Sequence, residues 1–273
     1  MNKSDLSLVL VGAGKMGGAM LTGWLGMGLD PKNVTVIDPG QPDDMKELAN
    51  KTGFSFLTSP EGVAKADILV IAVKPQMMDK VLPGLVGLVG EKTVLVSIAA
   101  GTPIATFRSY LGADLHVVRA MPNTPAQVGR GMIAAFACEG IDADVLGTIA
   151  TLLSSTGKFT WVGSEALIDA VTAVSGSGPA YVFYMVEALA KAGEALGLDA
   201  EAASLLARQT IVGAGELLNQ SPLPASTLRE NVTSPAGTTA AALAVLMAEE
   251  GGLGELMAKA TVAARDRSIE LSK

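Results

Sequence analysis

Residues 6–17 read Leu6-Ser7-Leu8-Val9-Leu10-Val11-Gly12-Ala13-Gly14-Lys15-Met16-Gly17. Branched apolar residues on nearly consecutive positions predict a strand covered on both faces, Leu6–Val11. Three glycines spaced G-x-G-x-x-G follow it directly, and a helical pattern, Met16–Gly26, opens on the last of them. In that strand–loop–helix context the spacing is a dinucleotide fingerprint. Gly12 permits a tight turn, Gly14 lets the backbone approach a pyrophosphate, and Gly17 lets helix and strand pack closely. An anion is favoured at the helix N-terminus, where unpaired N–H groups and the dipole point at it. Ala13, Lys15 and Met16 complete the expected cofactor loop.

The same alternation continues outward. Strand-like runs fall at Val34–Asp38, Asp67–Val73, Thr93–Ala99 and Leu115–Ala120, with helical patterns between them at Asp43–Lys51 and Pro75–Val86. Alternation of this kind predicts a parallel sheet with helices on both faces. Two more candidate strands, Gly131–Cys138 and Lys158–Val162, flank a helix near Asp142–Ser155. Beyond about Gly163 the β-branched runs fade into alanine-rich helical periodicity. The predicted helices are Glu165–Val174, Pro179–Leu196, Asp199–Asn219, Pro235–Glu249 and Leu253–Leu271, punctuated by Gly and Pro pairs. The expected division is therefore residues 1–163, an α/β dinucleotide-binding domain, and residues 164–273, an all-helical domain.

Asp38 closes the second strand, about 20 residues past the last glycine, where an acid hydrogen-bonds a ribose 2′-hydroxyl and repels a 2′-phosphate. The lean is towards NADH or dual use; the alternative is that Asp38 merely starts the turn Asp-Pro-Gly. The ends of two further strands should border the same cleft, at Val73-Lys74-Pro75 and at Ala99-Ala100-Gly101. Lys74 is open to two roles, a catalytic ammonium or a structural and cofactor-bonding one.

Bulk properties narrow the classes. The 273 residues are long enough for two domains, and the formal charge of −7 argues against nucleic-acid or anionic-membrane binding, which needs a basic stripe. Cys138 and His116 are each alone in the chain, so no intramolecular disulfide forms and no metal site is expected. The N-terminal run, with Lys3 ahead of it and Asp5 at its start, fits a strand and phosphate loop better than a leader peptide. Apolar runs such as Ile68–Val73 are far too short to span a bilayer. A cytoplasmic protein is expected.

Two later segments carry chemistry: Val174-Ser175-Gly176-Ser177-Gly178-Pro179-Ala180-Tyr181, and Val232-Thr233-Ser234-Pro235-Ala236-Gly237-Thr238-Thr239. In the second, Ser234 reads as an N-cap with Pro235 in the first turn. Gly237, Thr238 and Thr239 add N–H groups and hydroxyls able to hold a small carboxylate without an arginine.

The runs GAGKMGGAM, AVKPQ, SIAAG, RAMPNTPA, VSGSGPAY and LRENVTSPAGTT, in that order, resemble pyrroline-5-carboxylate reductase over nearly the whole chain. The resemblance implies a Rossmann-type domain holding NAD(P)H, followed by a helical domain forming an intertwined dimer, with dimers assembling further into decamers. It implies reduction of a cyclic imine, 1-pyrroline-5-carboxylate, to L-proline. Ser234, Gly237 and Thr238 would hold the substrate carboxylate, and Thr239 would approach the ring nitrogen as the catalytic group. Ala100 and Gly101 would contact the nicotinamide, with Val73, Lys74 and Pro75 beside the cofactor. The chain departs from the family's usual Ser-Pro-Gly-Gly at Ala236, which is expected to fit only with a negative φ.

Two other readings stay open at this level. A β-hydroxyacid dehydrogenase shares the glycine loop, but its catalytic lysine has no counterpart in Gly176–Tyr181. A non-catalytic nicotinamide-binding regulator would keep Gly12–Gly17 and have no use for Ser234–Thr239.

Overall fold

A computed structural model describes residues 6–272; Lys3 and Asp5 lie outside the described residues. The chain divides into two compact units, residues 1–176 with 264–273, and residues 177–263.

The first unit is built on one eight-stranded sheet. Its strands are β1 (Leu8–Val11), β2 (Val34–Ile37), β3 (Ser55–Leu57), β4 (Ile68–Ile71), β5 (Val94–Ser97), β6 (His116–Met121), β7 (Gly131–Ala137) and β8 (Gly157–Trp161), in the order β3-β2-β1-β4-β5-β6-β7-β8. All neighbours run parallel except β6 and β7, which pair antiparallel with Arg119 opposite Phe136. The helices of this unit are α1 (Lys15–Gly26), α2 (Asp43–Thr52), α3 (Met78–Val81), α4 (Ile104–Leu111), α5 (Ala143–Leu153) and α6 (Leu167–Val171).

Side chains alternate across the sheet, so each strand feeds two cores. Leu8, Leu10, Val36, Ile68, Val70, Val94, Val96 and Val118 face Met20, Leu21 and Trp24 of α1 and Ile149, Leu152 and Leu153 of α5. Trp24 sits at 1% exposure and its indole N–H donates to the Leu152 carbonyl at 2.9 Å, so its polar edge is satisfied inside the core. Val9, Val11, Leu69, Ile71, Leu95 and Val117 face the other way, towards Met78, Leu82, Leu85, Ile104, Phe107 and Leu111. Both faces are dry, which is why these strands read as continuous apolar runs.

Several elements depart from the expected boundaries. The helix expected over Pro75–Val86 is a 3₁₀ turn at Pro75–Met77, the short α3, and a second 3₁₀ stretch at Leu82–Leu88. Pro83 and Gly84 inside it lack what a continuing α-helix needs, a backbone donor in one case and restricted torsions in the other. The segment Glu165–Val174 is α6 followed by a π-type turn over Thr172–Gly176.

The second unit holds α7 (Gly178–Ala195), α8 (Ala200–Gln220), α9 (Ala225–Asn231), α10 (Thr238–Leu246) and the first part of α11 (Leu253–Leu271). α7 and α8 approach closely at Gly193, where a Cβ would lie 3.3 Å from the Ala203 Cβ; Ala203 and Ala207 are the buried residues of α8. The Asp199 side chain caps α8 by accepting from Ala202 N–H at 2.9 Å. Large apolar side chains remain uncovered in this unit, among them Phe183, Tyr184, Leu205, Leu217 and Val245. Apolar exposure on this scale marks an interaction surface.

Candidate active site

Between β1 and β4 the strand order turns back on itself, and ligands of open α/β sheets lie beyond the carboxyl ends of strands at that point. Both connections leaving it are on the fingerprint side. Gly12 has φ 96°, and a Cβ there would lie 2.8 Å from the Ala72 carbonyl oxygen, so only glycine fits the crossing. A Cβ on Gly17 would collide with the Gly12 carbonyl oxygen and lie 3.2 Å from the Ala72 Cβ.

Gly14 differs. It is exposed, and a Cβ on it would meet no atom within 4 Å. The protein's own packing does not require glycine there, whereas a close-fitting diphosphate would. Gly14 is also the N-cap of α1, extended at φ −67° and ψ −172°, with no side-chain cap and no acidic residue in the first turn. The N–H groups opening α1 are therefore left for an anion, and the residues present fit a dinucleotide.

Asp38 follows β2. One carboxylate oxygen accepts from Ala13 N–H at 2.7 Å and the other from Gly40 N–H at 2.8 Å. The turn role is thus real, and it is joined to a second one: the carboxylate is tied to the glycine loop itself. Each oxygen retains acceptor capacity for a hydroxyl. Val73 is half-buried, and Lys74 and Pro75 are exposed where the chain leaves β4. Past β5, Ala99 is buried while Ala100 and Gly101 are half-buried in a turn, with Gly101 at φ 64°.

In the second unit the expected helix start is displaced. α10 begins at Thr238, not Pro235, and Ser234 is not its N-cap. Ser234-Pro235-Ala236-Gly237 forms a turn closed by Gly237 N–H donating to the Ser234 carbonyl at 3.1 Å. Proline second and a positive φ third are the signature of a type II turn. Ala236 occupies that third position at φ 60°, so the expectation of a negative φ is wrong and the alanine is held in a left-handed conformation. The N-cap is Gly237, extended at φ −81° and ψ 175°, with no side-chain cap. A Cβ on Gly237 would strike the Ser234 hydroxyl, which lies over the helix start. Ser234 and Thr238 are exposed and Thr239 is half-buried. A hydroxyl, unpaired N–H groups and two threonines thus share one helix end.

The first of the two later segments is spent on packing. Gly176 admits the Met121 side chain, whose methyl would lie 2.7 Å from a Cβ there. Asn123 donates from its side-chain amide to the Ser175 carbonyl at 3.1 Å and accepts from Met132 N–H at 2.9 Å. His116 opens β6, and the Cys138 sulfur accepts from Val117 N–H at 3.2 Å. Among the described residues no group of three or more His, Cys, Asp or Glu side chains is placed to hold a metal ion, and no helix is long and apolar enough to cross a membrane. One pair went unassigned from the sequence: Arg119 of β6, buried, bonded to Glu165 at 2.9 Å. A charged residue inside the apolar run HVVRAM was its only sequence signal.

Fold and glycine loop together define a Rossmann-type dinucleotide-binding protein with a helical C-terminal unit. Residues 7–101 match the family described as NADP oxidoreductase, coenzyme F420-dependent, and residues 165–271 match pyrroline-5-carboxylate reductase dimerisation. The chain is 40% identical over 267 residues to the pyrroline-5-carboxylate reductase of Pseudomonas aeruginosa, covering 97% of each. A solved pyrroline-5-carboxylate reductase from Coxiella burnetii is 37% identical with a TM-score of 0.89, over 98% of this chain and 99% of that one. The Plasmodium falciparum pyrroline carboxylate reductase, solved with NADP bound, is 29% identical with a TM-score of 0.80, over 99% of both chains. The chain belongs to the pyrroline-5-carboxylate reductase family of oxidoreductases. Its helical unit, with the exposed apolar side chains described above, supports self-association.

Proposed function

We propose that this protein reduces 1-pyrroline-5-carboxylate to L-proline with NAD(P)H, the last step of proline biosynthesis. The observation that carries the reading is the uncapped start of α10 beneath the Ser234 hydroxyl, an anion cradle in a chain of this family. The working division is residues 1–163 for the cofactor and 164–273 for substrate binding and dimerisation. The protein acts in the cytoplasm as a dimer, and dimers join into a decamer.

Gly12, Ala13, Gly14, Lys15, Met16 and Gly17 hold the diphosphate, and Asp38 accepts from a ribose hydroxyl. Val73, Lys74 and Pro75 border the cofactor, while Ala99, Ala100 and Gly101 offer a flat surface for the nicotinamide. When bound, the reduced nicotinamide supplies a hydride to the imine carbon. Ser234, Gly237 and Thr238 hold the substrate carboxylate: the Ser234 and Thr238 hydroxyls and the Thr238 N–H donate to it, and Gly237, its own N–H closing the turn, leaves room for it. Thr239 sits beside the ring nitrogen, which takes the imine π electrons and keeps its proton to become the secondary amine. With the imine protonated, alignment and exclusion of water are the main demands, and no histidine–carboxylate dyad is needed.

The test is loss of reduced-nicotinamide absorbance with the imine, comparing NADH and NADPH over a concentration series. Turnover with both, and a lower KM for NADH, is the expected outcome. Strong preference for NADPH would remove the ribose role from Asp38 but keep the reaction. Folded protein that binds cofactor and turns over neither would overturn the reading.

A further inference from the structure

Arg119 pairs in register with Ser97 of β5 and is 4% exposed. Its Nη1 donates to Glu165 Oε1 at 2.9 Å, while Nε and Nη2 are buried without a hydrogen-bond partner among the described residues. Only the guanidinium is fully buried, Glu165 keeping 33% of its side-chain exposure, and the cost of desolvating the arginine offsets much of the attraction. Its presence calls for a reason other than stability.

The reason lies at α4. The same Glu165 Oε1 accepts from Ile104 N–H at 2.8 Å. Ile104 opens α4, and its N-cap, Pro103, provides no side-chain acceptor, so Glu165 caps the helix from a distant part of the chain. Between β5 and α4 runs Ile98 to Pro103, which contains Ala99, Ala100 and Gly101. One end of this loop is fixed by sheet pairing at Ser97, beside Arg119, and the other by Glu165 at Ile104. Gly101 is backed by the end of α11, where a Cβ would lie 3.4 Å from the Leu271 Cβ. That end is anchored in turn, since Ser268 donates to Asp169 of α6 at 2.6 Å.

We propose that Arg119 and Glu165 are positioning residues that set the loop Ala99–Gly101 behind the nicotinamide ring. They govern hydride transfer, whereas dinucleotide affinity resides at Gly12–Gly17. The inference rests on the reading that Ala100 and Gly101 border the nicotinamide. A small displacement of a ring-bearing surface costs rate much more than binding, because alignment enters the barrier directly.

Full-length wild type, Glu165→Ala, Glu165→Gln and Arg119→Met are compared for kcat, for NADH affinity by fluorescence titration, for emission of bound NADH, and for Tm. Glu165→Ala should lose about tenfold or more in kcat while NADH affinity stays within about threefold. Its bound NADH should emit more like the free cofactor. Glu165→Gln, which keeps an acceptor for Ile104 N–H, should recover most of the lost rate. Arg119→Met leaves the part-exposed Glu165 able to hydrate and to keep its bond to Ile104 N–H, and it should fold and lose a few-fold in kcat. Unchanged kcat in folded Glu165→Ala overturns the proposal, as does a rate loss matched by lost NADH affinity, or a Gln variant as slow as the Ala variant. If Glu165→Ala does not fold, unchanged kcat in Arg119→Met overturns it. Wild type inactive on the imine is a separate result that removes the underlying reading.

Discussion

Two helices in this protein begin the same way. α1 and α10 each have an extended glycine as N-cap, Gly14 and Gly237, and neither is capped by a side chain. The surroundings differ. Gly12 and Gly17 are forced by backbone carbonyls beside a buried parallel sheet, so the loop has little room to vary. The turn before α10 lies on an exposed stretch and carries an alanine in a left-handed conformation. The same uncapped helix start is thus built rigidly where it meets a sheet, and with local strain where it meets solvent. Strain of this kind persists only where neighbouring structure fixes it.

The largest expected effect tests the rigid side of the comparison. Gly17→Ala drives a Cβ into the Gly12 carbonyl and should lower kcat/KM by about 1,000-fold through lost cofactor binding, read by NADH titration. Retained binding would mean the loop is as adaptable as the turn before α10. Next is Thr239→Val, which removes the hydroxyl proposed to lie beside the ring nitrogen and keeps the shape. It should lower kcat by about 100-fold while NADH affinity is unchanged, measured in the same assay. An unaltered kcat would leave α10 as a carboxylate cradle alone. Asp38→Asn removes a charge but keeps an acceptor for Ala13 N–H. The ratio of kcat/KM for NADH over NADPH should fall about tenfold. The smallest effect sharpens the strained side. Ala236→Gly relieves the left-handed alanine and should stabilise the fold by about 1 kcal/mol, raising Tm by roughly 2–4 °C in a melting experiment. No gain in Tm would mean the turn bears no strain.

The contrast also explains what could be read before folding. Val, Ile and Leu on consecutive positions mark the parallel strands, because burial on both faces leaves that pattern and few others. The glycine loop is legible because its spacing and its steric demands coincide. β3 is an edge strand of three residues with Ser55 exposed, too short for any period to register. α4 and α9 each follow a proline-bearing stretch that reads as loop, and α4 is completed by a distant partner, Glu165. Sequence alone puts the start of α10 three residues early, since Ser-Pro suits a capped helix as well as a type II turn. One backbone hydrogen bond, Gly237 to Ser234, decides between them. Arg119 is a charge inside an apolar run, but no spacing in the sequence points to its partner, because Glu165 comes from another element.

The unit that carries the glycine loop is discontinuous: it needs residues 264–273 as well as residues 1–176. A chain made from its N-terminus therefore exposes all eight strands before Ser268 can meet Asp169 or Leu271 can back Gly101. Removing residues 262–273 would leave every glycine of the fingerprint in place and take away the backing of Gly101. A segment late in the sequence thus finishes packing that the early strands begin.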